Sequence, residues 1–276
     1  MNTTTVGGVE IPSVGLGTWR LTGDSCRKSV RTALELGYRH VDTAQAYSNE
    51  RQVGNALRNS DVAREDVFVT TKLGRGNRAY DDVVRSTEES LAKLGTDYID
   101  LLLIHWPDPV TPLRETLAAM NELVDRGAVR HVGVSNFDVD RLARARELSE
   151  HGILTNQVQY NPYWSQTELL NYCRIHDVAL TAYSPLAHGG VLEDPVLGSI
   201  GEKYDKHPAQ IALRWLVQQP NVLTVPKATS REHLAANIDI FDFELTDEEM
   251  DRVRQPSKSK AVAGFVRNRL RNLRCR

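Results

Sequence analysis

Four polar residues suited to acid–base chemistry follow three separate apolar segments of this chain. Asp42 ends a predicted strand that begins at Arg39, and Tyr47 follows it in a short loop. Lys72 and His105 end the next two apolar segments. In a parallel α/β protein the carboxyl ends of the strands meet at one edge, where ligands bind. We therefore expect a carboxylate, a phenol, an amine and an imidazole to lie close together in the folded protein.

This set of groups suits the protonation of a carbonyl oxygen while another agent delivers hydride. A free tyrosine has a pKa of about 10 and is a weak acid at neutral pH. A protonated Lys72 near the phenol is expected to stabilise the phenolate and so to lower the pKa of Tyr47. Asp42 would keep Lys72 charged and in position. His105 could donate a hydrogen bond that orients the carbonyl group.

The alternation of apolar and amphipathic segments predicts a (β/α)8 TIM barrel. Eight apolar runs are spaced by 23 to 43 residues, with amphipathic stretches between them. The runs end near Gly17, Asp42, Lys72, His105, Ser135, Tyr160, Tyr183 and Pro226. Helices are predicted over residues 80–94, 112–126, 138–150 and 208–219, with Asp138 as an N-cap. The widest gap, between Tyr183 and Pro226, leaves room for an additional segment.

The chain is expected to form a single domain over residues 1–276. Val6 to Ile11 contains a Gly-Gly pair and predicts a β-hairpin, which we expect to close the bottom of the barrel. No linker-like or low-complexity stretch divides the sequence. An atypical basic segment, residues 258–276, ends the chain with seven Lys or Arg and no acidic residue. It could bind an acidic membrane or nucleic acid, but we favour a segment that either packs on the acidic body of the chain or is mobile.

The composition indicates a globular protein, with 41% hydrophobic and 25% charged residues and a net charge of −2. Three cysteines without paired spacing favour a reducing compartment and argue against a zinc site. The N-terminus shows no signal peptide, and the most apolar run, residues 99–106, is too short to span a bilayer. We therefore expect a cytoplasmic monomer that binds neither nucleic acid nor membrane.

The glycine-rich segment 74–79 permits a different interpretation. Its sequence, G-R-G-N-R-A, matches a dinucleotide-binding fingerprint, and Asp97 lies roughly where a ribose-binding acid would. A Rossmann sheet, however, has about six strands and a reversal of strand order. Here the βα repeat continues through eight strands, so a glycine-rich loop at the rim of a barrel is favoured.

These motifs resemble those of the aldo-keto reductase superfamily. The resemblance rests on the segment 37–50, on the strand ending in Lys72 and on Ile104-His-Trp-Pro, and it covers about residues 6–250. It is greatest for the prokaryotic branch of 2,5-diketo-D-gluconate and aldehyde reductases. The resemblance implies a catalytic tetrad without a metal, in which nicotinamide supplies hydride and Tyr47 donates the proton. Asp42 and Lys72 would tune the acidity of Tyr47, and His105 would orient the carbonyl.

The resemblance also implies where the substrate and the nicotinamide ring lie. Trp19 and Trp106 match aromatic residues that line the substrate pocket beside Tyr47 and His105. The expected contacts to the carboxamide are Ser135, Asn136 and Gln157. Tyr183 matches the aromatic residue that stacks on the nicotinamide ring.

The phosphates of NADPH are expected beside Ser184, Leu186 and Lys227, the last of which faces the 2′-phosphate in the family. After this lysine the family commonly has a serine and an arginine, where this chain has Ala228 and His233. An arginine is always charged and bidentate, whereas a histidine is mostly neutral at pH 7, so we expect a weakened preference for NADPH and appreciable use of NADH. The remaining expected contacts are Gly17, Thr18, Trp19, Asp42, Thr229, Ser230 and Asn237.

Two functions stay open at the level of sequence. The first is an oxidoreductase that reduces the carbonyl group of an aldehyde or ketone with NADPH. The alternative is a nicotinamide-binding regulatory barrel without significant turnover, as some family members are. The complete tetrad favours the reductase, because a binding module gains nothing from the phenol of Tyr47. Small aldehydes, keto acids and diketo sugars all suit the partly aromatic pocket.

Overall fold

The computed structural model of the chain describes residues 2–254. The predicted basic segment 258–276 therefore lies outside the described residues. Within them, strands and helices alternate in the predicted order.

Eight parallel strands form the barrel, each paired with the next along the chain. They are β3 (Leu16–Gly17), β4 (His40–Asp42), β5 (Phe68–Leu73), β6 (Ile99–Ile104), β7 (Val129–Ser135), β8 (Thr155–Gln159), β9 (Ala179–Tyr183) and β10 (Val222–Thr224). The barrel closes where the Gly17 amide donates to the Pro226 carbonyl at 3.0 Å. A Cβ on Gly17 would lie 2.5 Å from the Val225 carbonyl oxygen, so this closure requires glycine. The predicted (β/α)8 barrel is confirmed.

Helices surround the barrel and follow its strands. They are α1 (Gly23–Glu35), α2 (Glu50–Arg58), α3 (Tyr80–Leu94), α4 (Leu113–Asp125), α5 (Val139–Leu148), α6 (Thr167–Ile175), α7 (Pro195–Tyr204), α8 (Pro208–Val217), α9 (Arg231–Ile238) and α10 (Asp247–Arg254). Asp138 caps α5 as predicted, accepting from the Arg141 amide at 2.9 Å. The wide gap between β9 and β10 holds both α7 and α8. In residues 2–254 no helix combines the length and apolar character needed to cross a bilayer.

The N-terminal hairpin closes the lower end of the barrel. Strands β1 (Thr3–Val6) and β2 (Val9–Pro12) are antiparallel and meet at Gly7 and Gly8, whose φ angles are 58° and 75°. A turn with two left-handed residues suits the twist of a tight hairpin. The apolar side chains of the hairpin join a separate core cluster with inward-facing barrel residues, which comprises Val6, Ile11, Leu101, Leu103, Leu154, Ala179 and Leu223. The predicted hairpin is confirmed.

His40, at the start of β4, is buried inside the protein. Its ring lies edge-on to Phe68 at 5.3 Å between centroids, and its Nε2 is 3.1 Å from Thr70 Oγ1. Gly15 packs so closely that a Cβ there would lie 2.6 Å from the imidazole. Burial lowers the pKa of His40 to about 4. The imidazole is therefore neutral at pH 7.

Candidate active site

A buried ion pair lies at the C-terminal ends of the neighbouring strands β4 and β5. Lys72 Nζ is 2.5 Å from Asp42 Oδ1 and donates a second hydrogen bond to the Thr43 carbonyl at 2.8 Å. The Lys72 side chain is fully buried and that of Asp42 is 4% exposed. Burial lowers the pKa of Lys72, and the charge of Asp42 opposes this shift. A single buried charge in this position would carry a large desolvation cost, so each residue needs the other. The ion pair therefore fixes the ends of β4 and β5 relative to each other.

Tyr47 ends a short 3-10 helix, Gln45–Tyr47, next to this ion pair. Lys72 Nζ is 5.1 Å from the centroid of the Tyr47 ring. Burial, and secondarily the charge of Asp42, raises the pKa of Tyr47. The lowering of this pKa expected from Lys72 is therefore outweighed, because Asp42 offsets the lysine charge and burial disfavours the phenolate. The phenol keeps its proton at neutral pH.

His105 follows β6 and faces the phenol. The rings of His105 and Tyr47 are 5.7 Å apart and inclined at 78°. Burial lowers the pKa of His105 to about 3, with further contributions from the charges of Lys72, Arg78 and Arg75. The imidazole is consequently neutral and keeps a single N–H donor. Tyr47, Lys72, Asp42 and His105 thus come together as predicted from their places at strand ends.

Gln45 ties the loop of Tyr47 to the glycine-rich loop after β5. The Gly74 amide donates to Gln45 Oε1 at 2.6 Å, and Asn77 Nδ2 donates to the same oxygen at 2.8 Å. Gln45 Nε2 in turn donates to the Ser86 carbonyl at 3.1 Å. The segment 74–79 is therefore a loop at the rim of the barrel, as favoured over a dinucleotide fingerprint.

The side chain of Asn49 connects the loops that follow β3 and β4 through hydrogen bonds. Its buried side chain accepts from Thr43 Oγ1 at 2.7 Å and donates to the carbonyls of Thr18 and Leu21, each at 2.9 Å. The sequence predicts only that a helix begins near Asn49. The side chain instead fixes the turn that carries Trp19, and nothing in the local sequence pattern indicates this.

A cavity of about 820 Å³ opens above the tetrad. The predicted site residues that line it are Gly17, Trp19, Asp42, Tyr47, His105, Trp106, Ser135, Asn136, Gln157, Tyr183, Ser184, Leu186 and Lys227. Lys72 and Thr18 are wholly buried and do not line the cavity. Five further predicted cofactor contacts do not line the cavity, and these are Ala228, Thr229, Ser230, His233 and Asn237. Lining residues outside the predicted site residues are Arg20, Ala46, Arg75, Pro185, His188, Gly189, Val225 and Pro226.

The residues expected to hold a carboxamide are connected to the tetrad. Gln157 Nε2 donates to Asp42 Oδ2 at 2.7 Å. Because a carboxylate only accepts, the amide nitrogen of Gln157 must face Asp42, and its oxygen is left to accept from a ligand amide. Asn136 Nδ2 donates to the His105 carbonyl at 3.0 Å, and Asn136 Oδ1 accepts from the Tyr183 hydroxyl at 2.8 Å. This arrangement fits the carboxamide and ring of a nicotinamide.

The opposite end of the cavity suits a phosphate. Lys227 is exposed beside the N-terminus of α9, and helix N-termini bind anions through their free amides. Ser230 caps this helix by accepting from the His233 amide at 3.2 Å. Arg231, the first residue of α9, pairs with Glu35 at 2.9 Å. Within the described residues, no group of three or more His, Cys, Asp or Glu side chains is arranged to hold a metal ion.

Known proteins share this sequence and fold. Residues 13–258 match the Aldo/keto reductase family. The chain is 40% identical to a 9,11-endoperoxide prostaglandin H2 reductase from Trypanosoma cruzi, over 93% of this chain and 91% of that protein. It is also 40% identical to a glyoxal reductase from Bacillus subtilis, over 92% of each.

Solved structures agree with these sequence relatives. A putative 2,5-diketo-D-gluconic acid reductase B superposes with a TM-score of 0.90 and 46% identity, over 92% of this chain and 90% of that one. An aldo-keto reductase from Bombyx mori in complex with NADP superposes with a TM-score of 0.86 and 38% identity, over 92% of each chain. The chain therefore belongs to the Aldo/keto reductase family of NAD(P)H-dependent carbonyl reductases.

Proposed function

We propose that this protein reduces an aldehyde or ketone with NADPH and that Tyr47 donates the proton. The observation that supports this proposal is the position of one protonated phenol beside a buried Lys72–Asp42 pair and a neutral His105. All four residues are at the C-terminal ends of barrel strands or in the loops that follow. The cavity above them is large enough for a nicotinamide and a small carbonyl compound.

The raised pKa of Tyr47 is compatible with its role as an acid. A carbonyl oxygen that gains negative charge becomes a stronger base than a phenolate, so the proton moves to it from the phenol. Lys72 Nζ, 5.1 Å from the ring, then stabilises the phenolate that forms. Asp42 holds Lys72 in place throughout.

His105 serves to position the substrate rather than to protonate it. With its pKa lowered to about 3, the imidazole is neutral under any working condition near pH 7. Its N–H can donate to the carbonyl oxygen and direct that oxygen toward the Tyr47 hydroxyl. Trp19 and Trp106 line the same cavity and restrict the substrate on its apolar sides.

Bound NADPH supplies the hydride for this reaction. Ser135, Asn136 and Gln157 would hold the carboxamide, and Tyr183 would stack on the ring. Ser184 and Leu186 would lie beside the pyrophosphate, and Lys227 beside the 2′-phosphate. The proposal includes appreciable use of NADH, because Ala228 and His233 stand where the family commonly has a serine and an arginine.

A panel of carbonyl compounds tests this proposal. Glyoxal is included because a relative bears the name glyoxal reductase, and a benzaldehyde, a 2-oxo acid and a diketo sugar acid extend the range. The loss of nicotinamide absorbance is followed with NADPH and with NADH, and cofactor binding is measured by tryptophan fluorescence. We expect turnover of at least one compound. Tight binding of NADPH without reduction of any compound would instead support a regulatory barrel.

A further inference from the structure

Two arginines that belong neither to the tetrad nor to the expected cofactor contacts line the active-site cavity. Arg20 follows β3 and Arg75 follows β5, and both are exposed. Each lies against one tryptophan of the pocket. The guanidinium carbon of Arg20 is 4.3 Å from the Trp19 ring centroid, and that of Arg75 is 6.0 Å from the Trp106 ring centroid.

This placement leaves the hydrogen-bond donors of both guanidinium groups accessible. Both side chains are exposed, and within residues 2–254 neither guanidinium donates a hydrogen bond to the protein. The N–H groups of a guanidinium lie in one plane. In that plane they match the two oxygens of a carboxylate.

The cavity lining is positively charged although the chain as a whole carries a net charge of −2. Asp42 is the only acidic residue among the described lining residues, and Lys72 compensates its charge at 2.5 Å. The lysine and arginine residues of the lining are Arg20, Arg75 and Lys227, and the proposed function assigns Lys227 to the cofactor phosphate. Arg20 and Arg75 are therefore two positive charges of the lining that lie outside the expected cofactor contacts.

Carboxylate side chains of the described residues do not neutralise these two arginines. In residues 2–254 neither Arg20 nor Arg75 forms an ion pair. Asp108 is outside the cavity lining, and its carboxylate accepts from the Val110 amide at 2.9 Å. Residues 255–276 contain no aspartate or glutamate, so that segment offers no acidic side chain either.

The backbone at Arg20 is held in an unfavourable conformation. Its φ of 62° is in the left-handed region, which is costly for a residue with a side chain. Asn49 fixes this turn by donating to the carbonyls of Thr18 and Leu21 on either side of it. Strain that the surrounding structure maintains is concentrated at functional sites.

We propose that Arg20 and Arg75 bind an anionic group of the substrate, so that the enzyme prefers carbonyl compounds that carry a carboxylate. This inference rests on the proposed reductase function and adds the substrate class to it. The two arginines act by binding and orientation, and the chemical step stays with the tetrad.

A pair of aldehydes that differ in charge tests the proposal. 4-Carboxybenzaldehyde and its methyl ester are assayed with NADPH on the wild type and on Arg20→Gln, Arg75→Gln and the double variant. We expect each single variant to raise KM for the acid about fivefold, the size of one exposed ion pair. The double variant should raise it about 25-fold if the two act independently. For the ester, KM should change less than about twofold, and kcat should be unchanged for both.

Arg51→Gln is the matched control, because Arg51 is an exposed arginine on α2 that does not line the cavity. It removes the same charge and should leave both KM values unchanged. Quenching of tryptophan fluorescence by 4-carboxybenzaldehyde, without cofactor, gives a Kd that does not depend on turnover. This Kd should weaken in the double variant and not in Arg51→Gln.

Each remaining outcome counts against a specific claim. If the ester is reduced and the double variant keeps the wild-type ratio of KM values for acid and ester, the arginine assignment is wrong and the reductase function stands. If the wild type reduces neither aldehyde nor any compound of the panel, the reductase function fails. An unchanged fluorescence Kd in the double variant then also refutes the anion site. A weaker Kd for NADPH in the double variant would assign the arginines to the cofactor instead.

Discussion

The buried His40 makes the stability of this protein depend on pH. Its pKa falls from 6.5 to about 4 on folding, because burial disfavours the imidazolium. Between these values the unfolded chain binds more protons, so stability decreases as the pH falls from about 6.5 to 4. From pH 7 to pH 5 this linkage removes about 2 kcal/mol of unfolding free energy.

Urea unfolding at pH 7 and pH 5 measures this effect in the wild type and in His40→Gln. His105, whose pKa is lowered to about 3, acts in the same direction, so the wild type loses more than the share of His40 alone. The variant should lose about 2 kcal/mol less than the wild type over this interval. His176→Gln, at an exposed position on the C-cap of α6, is the control and should follow the wild type. Equal losses in His40→Gln and the wild type would refute the reasoning.

Three further predictions concern helix packing, the side chain of Asn49 and the choice of cofactor. Gly54→Ala places a Cβ 2.0 Å from the Leu94 carbonyl oxygen and should lower the free energy of unfolding in urea by about 1–3 kcal/mol. Gly198→Ala is the control, because a Cβ there has no atom within 4 Å, and it should be neutral or stabilising by up to about 1 kcal/mol. Equal effects would contradict the close packing of α2 on α3. Asn49→Ala removes three buried hydrogen bonds, so we expect a loss of about 2–3 kcal/mol and a raised KM for carbonyl substrates; an unchanged KM would show that the Trp19 turn does not need Asn49. Finally, kcat/KM at pH 8 should favour NADPH over NADH by less than about a thousandfold, or roughly 4 kcal/mol, and a larger ratio would refute the role given to His233.

The barrel and the tetrad could be predicted because both follow from regular spacing. The recurrence of apolar runs indicates the parallel strands, and the carboxyl ends of such strands must share one face. Asp42, Lys72 and His105 therefore converge without knowledge of any loop. The bounds of α3 also match the prediction, because its apolar periodicity spans the whole helix.

The rest of the site depends on features without periodicity. Arg20, Ser184 and His188 all have left-handed φ values in loops, and no sequence pattern indicates which way such residues face. Only for Arg20 does the sequence contain a partial indication of its place at the site, because Arg20 directly follows the predicted pocket residue Trp19. The pKa of Tyr47 could not be predicted either, because it depends on how closely Asp42 compensates Lys72 and on the depth of burial.

Replacement of Tyr47 by Phe tests the central claim most directly. The change removes only the hydroxyl, so kcat for a carbonyl compound that the wild type reduces should fall by about 10²–10⁴-fold, the usual contribution of a general acid. The Kd for NADPH should change less than about twofold. Tyr172→Phe, which removes a hydroxyl on α6 outside the cavity lining, should keep wild-type kcat. A Tyr47→Phe enzyme with wild-type kcat would contradict the assignment of Tyr47 as the proton donor.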